Sequence, residues 1–200
     1  HSHFGKKNII GRLIDFLSFN ILVCYPLLRA KSEEIDAIMV MPPPPLLPFI
    51  GSLISKMKKI PFIYWAMDLQ PELSFATGLL KEGSLSGKIL NKLTSFTIKA
   101  SDKIIALDSD MKDYLLKRGC KKSKIFVCPV WPVMSEFYSG DRLSNPFRVK
   151  NNFEDKLVVM YSGNYGNAHP VDTILDAALK LRNESKILFV FVGGGTQYSK

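Results

Sequence analysis

Short apolar runs alternate along this chain with longer stretches in which apolar residues recur every three or four positions. The runs are Ile35 to Val40, Pro61 to Met67, Lys103 to Leu107, Lys124 to Cys128, Leu157 to Tyr161 and Ile187 to Val192. Most are apolar at odd and even positions alike, which predicts parallel strands buried on both faces rather than half-solvated antiparallel ones. The intervening stretches predict helices over Lys7 to Leu28, Leu46 to Lys58, Leu85 to Ala100, Met111 to Arg118 and Val171 to Leu181. In the last of these, Val171, Ile174, Leu175, Ala178 and Leu179 form one stripe of a 3.6-residue period. The expected class is therefore α/β, with a doubly wound sheet covered by helices on each side.

The rhythm breaks once, from Pro129 to Asp155, where no strand or helix is predicted and Pro129, Pro132, Gly140 and Pro146 punctuate a polar stretch. The expected organisation is a first domain over 1–135, a linker over 136–155, and the start of a second domain over 156–200. A new βαβ unit opens after the break, so the second domain is expected to be incomplete and the chain a fragment. Four consecutive prolines, Pro42 to Pro45, read as a stiff connector from strand to helix.

Composition narrows the class. With 46% hydrophobic and 22% charged residues, disorder, collagen and coiled coil are poor fits. The net charge of +9 predicts an anionic partner: nucleic acid, a phosphorylated small molecule or a lipid surface. Three widely spaced cysteines form neither a disulfide framework nor a zinc site, which predicts a reducing compartment. The uncharged segment Phe16 to Leu28 falls short of the ~20 residues of a spanning helix. Lys6, Lys7 and Arg12 lead into it, and with Phe16, Leu17, Phe19, Ile21 and Leu22 they suit either an interfacial helix or a partly buried one. The other basic clusters lack interleaved aromatics and any nucleic-acid-binding signature, so no nucleic acid is expected.

Three stretches could carry chemistry. In Tyr64-Trp65-Ala66-Met67-Asp68-Leu69-Gln70-Pro71-Glu72, a buried strand runs out into two carboxylates. Ligands of doubly wound sheets bind at the carboxyl ends of strands, so Asp68 suits an acid, base or hydroxyl acceptor. Alternatively Asp68 caps the turn at Pro71, and Glu72 favours the start of a short helix. In Met160-Tyr161-Ser162-Gly163-Asn164-Tyr165-Gly166-Asn167-Ala168-His169-Pro170, a strand passes through a glycine loop into a helix, a convergence of N–H groups that favours phosphate or diphosphate. The spacing is neither the dinucleotide fingerprint nor the Walker loop. His169 could donate to a phosphate oxygen or simply occupy the loop. Val190-Phe191-Val192-Gly193-Gly194-Gly195 ends a strand in glycines, for close ligand approach or for a tight turn, and the two glycine loops could line one crevice.

In order along the chain, Pro42 to Leu46, Pro61 to Glu72, Ser101 to Leu107, Trp131-Pro132, Tyr161 to Gly166 and Phe189 to Gly195 resemble glycosyltransferase family 4, of GT-B fold, in its bacterial exopolysaccharide and colanic-acid form. The resemblance implies two Rossmann-like domains, the first holding the acceptor and the second the nucleotide sugar. It places Asp68 where many members carry an active-site His, and Glu72 beside it as a second catalytic candidate. It implies donor binding by Gly163, Asn164, Tyr165, Gly166, His169, Gly193 and Gly194. Asn164 and Pro170 stand where other members carry an Arg and a Lys against the diphosphate. It implies a glycine-rich loop before His1 and a Glu-x7-Glu segment after Lys200, so the 200-residue polypeptide is expected to be inactive by itself.

The implied activity is transfer of a hexose or related sugar, with retention, from a nucleotide-diphosphate sugar to a lipid-linked or polysaccharide acceptor in cell-surface polysaccharide synthesis. The nucleotide sugar is a co-substrate, and neither a cofactor nor a metal is expected. Partners are then a nucleotide sugar, a lipid-linked or glycan acceptor and an anionic membrane surface, and the location is cytoplasmic, peripheral at the inner face of the membrane. A nucleotide-sugar epimerase of the same fold and a non-catalytic binding module are the rival readings.

Overall fold

A computed structural model describes residues 9–44, 46–130, 140–166, 168–169 and 171–195, the side chains of Ile9, Arg12 and Leu13 excepted. Lys6, Lys7, Pro45, Trp131, Pro132 and Pro170, which figured in the sequence reading, lie outside these residues. The chain divides into two compact units, His1–Trp131 and Pro132–Lys200.

The first unit runs α1 (Ile9–Arg29), β1 (Ile38–Val40), α2 (Leu47–Lys58), β2 (Phe62–Ala66), α3 (Glu72–Ala76), α4 (Leu85–Ala100), β3 (Lys103–Ala106), α5 (Ser109–Lys117) and β4 (Ile125–Val127). Its four strands form a parallel sheet in the order β1-β2-β3-β4. The register sets Val40 beside Tyr64, Tyr64 beside Ile104, and Ile104 beside Ile125. One row of side chains is therefore continuous across the sheet, and with Phe62, Ala66 and Ala106 it forms the core against Cys24, Ile54, Ile98 and Leu115 from the helices. Asp102 secures the start of β3: its backbone N–H donates to the Phe62 carbonyl at 2.9 Å, and its carboxylate accepts the Phe62 N–H at 2.8 Å.

Among the described residues the two faces of this sheet are covered unequally. The alternate row is open, with Met39 51% and Phe126 52% exposed, while Ile63, Trp65 and Ile105 are half-buried. Topology supplies the reason. Each crossover between parallel strands is right-handed, so an order that advances steadily from β1 to β4 delivers every crossover helix to the same face.

Local chemistry explains the boundaries. Ser84 accepts the Gly87 N–H at 3.1 Å to start α4, Asp108 accepts the Met111 N–H at 2.7 Å to start α5, and Lys59 ends α2 in the left-handed conformation. Small residues let α2 and α4 close up. Ser52 and Thr97 are buried with their hydroxyls returned to the helix carbonyls of Phe49 and Leu93, so no polar group is stranded. A Cβ at Gly51 would stand 2.7 Å from Val40 Cγ2, which is why α2 can lie this near the sheet.

The second unit contains α6 (Pro146–Lys150), β5 (Leu157–Asn164), α7 (Asp172–Lys180) and β6 (Ile187–Gly194). The strands are parallel and paired from Leu157 beside Ile187 to Asn164 beside Gly194. Helix α6 corrects the expectation of no regular element between Pro129 and Asp155. Asn145 caps it by accepting the Phe147 and Arg148 N–H groups, Pro146 opens it, and Arg148 donates to the Lys156 carbonyl at 2.6 Å. A five-residue helix made by its caps has too few positions to register as a period.

Phe62 is fully buried at the centre of the first unit. Phe62→Ala should lower the unfolding free energy by about 3–5 kcal/mol in a denaturant titration. A loss below about 1 kcal/mol would mean that this sheet face is not the core.

Candidate functional site

Parallel pairing brings every strand of a sheet out at the same edge, and the sequence-selected residues emerge there in each unit. In the first unit, β2 ends at Ala66 and the chain bends through Met67 and Asp68 into Gln70, Pro71 and α3. Helix α3 has Pro71 at its N-cap and no side-chain cap, so Asp68 is not spent as a cap. Ser74 Oγ donates to Gln70 Oε1 at 2.6 Å, which ties the turn to the helix it precedes.

Glu72 is held by a residue 46 positions away in the chain. Arg118, just past α5, donates from Nη1 to Glu72 Oε1 at 3.0 Å and from Nη2 to Ser95 Oγ at 2.9 Å and the Asn91 carbonyl at 3.3 Å. One guanidinium thereby joins α3, α4 and the end of α5, with its plane near the Tyr114 ring. The planar fork suits this position: its two terminal nitrogens serve three acceptors on two helices from one rigid group. Arg118 and Glu72 are 46 residues apart, so no local pattern announces the pair.

Two tyrosines report the electrostatics. Burial, then the charges of Asp68 and Glu72, push Tyr64 up to about 12 from an ordinary 10.0, against an opposing pull from Arg118. Burial and the neighbouring Glu72 carboxylate likewise raise Tyr114. Both carboxylates thus act on the phenol of Tyr64, in the middle of β2.

In the second unit, Gly163 pairs with Gly193 and Asn164 with Gly194, and the Tyr165 N–H donates to the Gly194 carbonyl at 3.0 Å. The structure therefore brings Gly163, Asn164, Tyr165, Gly166, Gly193 and Gly194 together at the carboxyl ends of β5 and β6. Tyr165 is buried and its ring lies 5.4 Å from that of Tyr161, whose hydroxyl donates to the Asn164 carbonyl at 3.0 Å. His169 is exposed in the same loop, its N–H on the Gly166 carbonyl at 2.9 Å.

Glycine is obligatory at two of these places. Gly193 has φ +143 and its missing Cβ would overlap the Gly163 carbonyl; Gly195 has φ +154, with the Tyr165 carbonyl 2.5 Å from where a Cβ would be. The glycine run is explained first by two backbones pressed together, and that contact is what shapes the loop. Among the described residues no cluster of three His, Cys, Asp or Glu side chains could hold a metal ion. The triplet Asp108-Ser109-Asp110 starts α5, with Asp108 used as its cap.

No family model matches the chain. It is 24% identical to a glycosyltransferase-named protein, WbjE of Pseudomonas aeruginosa, over 168 residues, 84% of this chain and 42% of WbjE. It is 23% identical over 198 residues to WcaI of Escherichia coli K12, named for colanic acid biosynthesis, covering 95% of this chain and 47% of WcaI. Both relatives are named as glycosyltransferases. The chain spans about half the length of these curated relatives. In fold it is similar to a structure from Listeria monocytogenes assigned as a UDP-N-acetylglucosamine 2-epimerase, with TM-score 0.52, 14% identity, and coverage of 88% of this chain and 45% of that one. The fold is thus a Rossmann-like α/β one.

Two outcomes follow. Tyrosines in the unfolded chain ionise near 10.0, whereas folded Tyr64 keeps its proton to about 12. A raised folded pKa means that stability is full below pH 10 and falls as pH rises from there towards 12. Unfolding midpoints measured between pH 9 and 11 should fall in the native chain and fall less in Tyr64→Phe; identical slopes would contradict this account. Gly193→Ala should destabilise the β5–β6 pairing by roughly 1–3 kcal/mol, read as faster hydrogen exchange of the β5 amides.

Proposed function

We propose that this chain is part of a glycosyltransferase that moves a sugar from a nucleotide-diphosphate donor to a lipid-linked or polysaccharide acceptor in cell-surface polysaccharide synthesis. The observation that carries the reading is similarity along nearly the whole chain to two proteins named as glycosyltransferases, combined with carboxylates and a glycine loop at the carboxyl edges of two parallel sheets. The family we favour is glycosyltransferase family 4, with a retaining mechanism and a hexosyl donor.

In this reading the second unit holds the donor. Gly163, Asn164, Tyr165, Gly166, Gly193 and Gly194 let the diphosphate approach the backbone, and His169 donates to it from the same loop. Stabilising the departing diphosphate with preorganised N–H donors is the larger part of the catalysis. Asp68 orients the transferred sugar or the attacking hydroxyl as a hydrogen-bond acceptor or base. Glu72, ion-paired with Arg118, holds the turn that carries Asp68 and keeps a second negative charge beside it. The acceptor binds the first unit, at the inner face of the membrane.

The epimerase reading draws on shared architecture and differs in its product, so one assay separates the two. Membranes from cells expressing the whole enzyme of which this chain is proposed to be part, or its Asp68→Asn variant, are supplied with radiolabelled nucleotide-diphosphate sugars. Label should enter lipid-extractable or polymeric product, and Asp68→Asn should reduce incorporation at least about 100-fold, in the range of a lost acid–base group. Interconversion of the donor sugar without acceptor, and no labelled product, would establish the epimerase instead.

A further inference from the structure

The helices that cover the first sheet pack in the order α1, α2, α4. They span 21, 12 and 16 residues, yet contain one acidic side chain between them, Asp15 of α1. Helices α2 and α4 have none. The basic residues, by contrast, gather on their outward side. Lys56 and Lys59 line one surface depression and Lys92 and Lys99 the adjoining one, with Phe96 between them and Lys56 Nζ 4.6 Å from its ring centre. Lys88 continues the row one turn before Lys92. Asp102, which lines the first depression with Lys56 and Lys59, already accepts the Phe62 N–H.

Apolar side chains lie exposed among these lysines: Leu85 is 75% and Met57 69% exposed, and Leu53 and Ile89 stand out beside them. On α4 the positions 85, 88, 89, 92, 96 and 99 follow the three-and-four spacing of one helix face. A solvated helix face ordinarily intersperses acids at that spacing, where each opposite pair stabilises and each like pair repels. Here the like charges are left uncompensated. Large apolar side chains between lysines whose stems reach past them are the composition of a surface that meets acyl chains and headgroups together. Residues 1–131 hold 19 Lys and Arg against 11 Asp and Glu, nearly all of the net +9 of the chain.

We propose that the outer face of α2 and α4 docks on an anionic phospholipid bilayer, with α1 extending the contact through Ile14, Leu17, Ile21 and Leu28. Those four are exposed along one side of α1, and no helix among the described residues is long and apolar enough to cross a membrane. The helices therefore lie along the bilayer surface, with lysines at the headgroups and Leu85, Ile89 and Met57 below them. The proposal draws on the transferase reading only for its purpose, which is to bring a lipid-linked acceptor within reach.

The test is co-sedimentation of the chain with phosphatidylglycerol-containing vesicles and with pure phosphatidylcholine vesicles. Binding should need the anionic lipid and weaken with salt. It should fall at least tenfold in the triple variant Lys56→Glu, Lys92→Glu, Lys99→Glu, whose circular dichroism should match the native chain, and stay unchanged in Lys112→Glu, Lys117→Glu, Lys121→Glu on the α5 side. A tryptophan placed by Leu85→Trp should be quenched by brominated lipid, which reads the contact without disturbing charge. Equal binding to phosphatidylcholine, equal effects of the two triple variants, an unquenched tryptophan, or a preference for duplex nucleic acid over vesicles would each overturn the proposal. Vesicle binding requires no sugar turnover, so its failure leaves the transferase reading standing, and a failure of sugar transfer leaves this one.

Discussion

The structure depends on parallel pairing of strands too short to stand alone. Parallel neighbours cannot be joined by a tight turn, so each strand must be returned by a crossover, and each crossover helix must bury an apolar stripe on the sheet it has left. In the first unit the steady order β1-β2-β3-β4 turns that requirement into a one-sided layer. From this follow the core built on Phe62 and Ile104, the close approach of α2 over Gly51, and the outward face of α2 and α4.

The same pairing decides where chemistry can sit. All strands of a parallel sheet end on one edge, and the loops leaving that edge are the ones free to vary without breaking the ladder. The first unit offers Asp68 there, in a turn stiffened by Pro71 and by the Glu72–Arg118 ion pair. The second offers a loop whose shape comes from glycines at 163 and 193 facing one another across β5 and β6. The two edges differ in character, one carrying Asp68 and Glu72 and the other two glycine-containing strand ends pressed together.

Much of this was legible in the sequence, and the parts that were not share a cause. All six apolar runs became strands, because β-branched and aromatic residues bounded by helix formers leave few alternatives. Register and cover did not follow: Ile63 and Phe62 look alike in sequence, yet only Phe62 is fully buried, since cover depends on the order of strands in space. Helix α6 escaped because caps at Asn145 and Pro146 make it, without any apolar period. Among site residues, the glycine loops were readable from composition and their partnership from adjacency. Arg118 was not, because its partner is 46 positions away and its neighbours are ordinary surface lysines. The basic face of α2 and α4 is likewise invisible segment by segment. Only the packing of α2 against α4 shows that Lys56 and Lys92 belong to one patch.

In the proposed transferase a nucleoside diphosphate binds the glycine edge of the second unit. Titration of isotopically labelled chain with UDP, followed by amide chemical shifts, tests it most directly. Saturable shifts are expected, centred on Gly163 to Gly166 and Gly193 to Gly195 and lost in Gly193→Val, while the β2 amides remain at their native positions. Shifts centred elsewhere, or none at millimolar UDP in a folded chain, would contradict it.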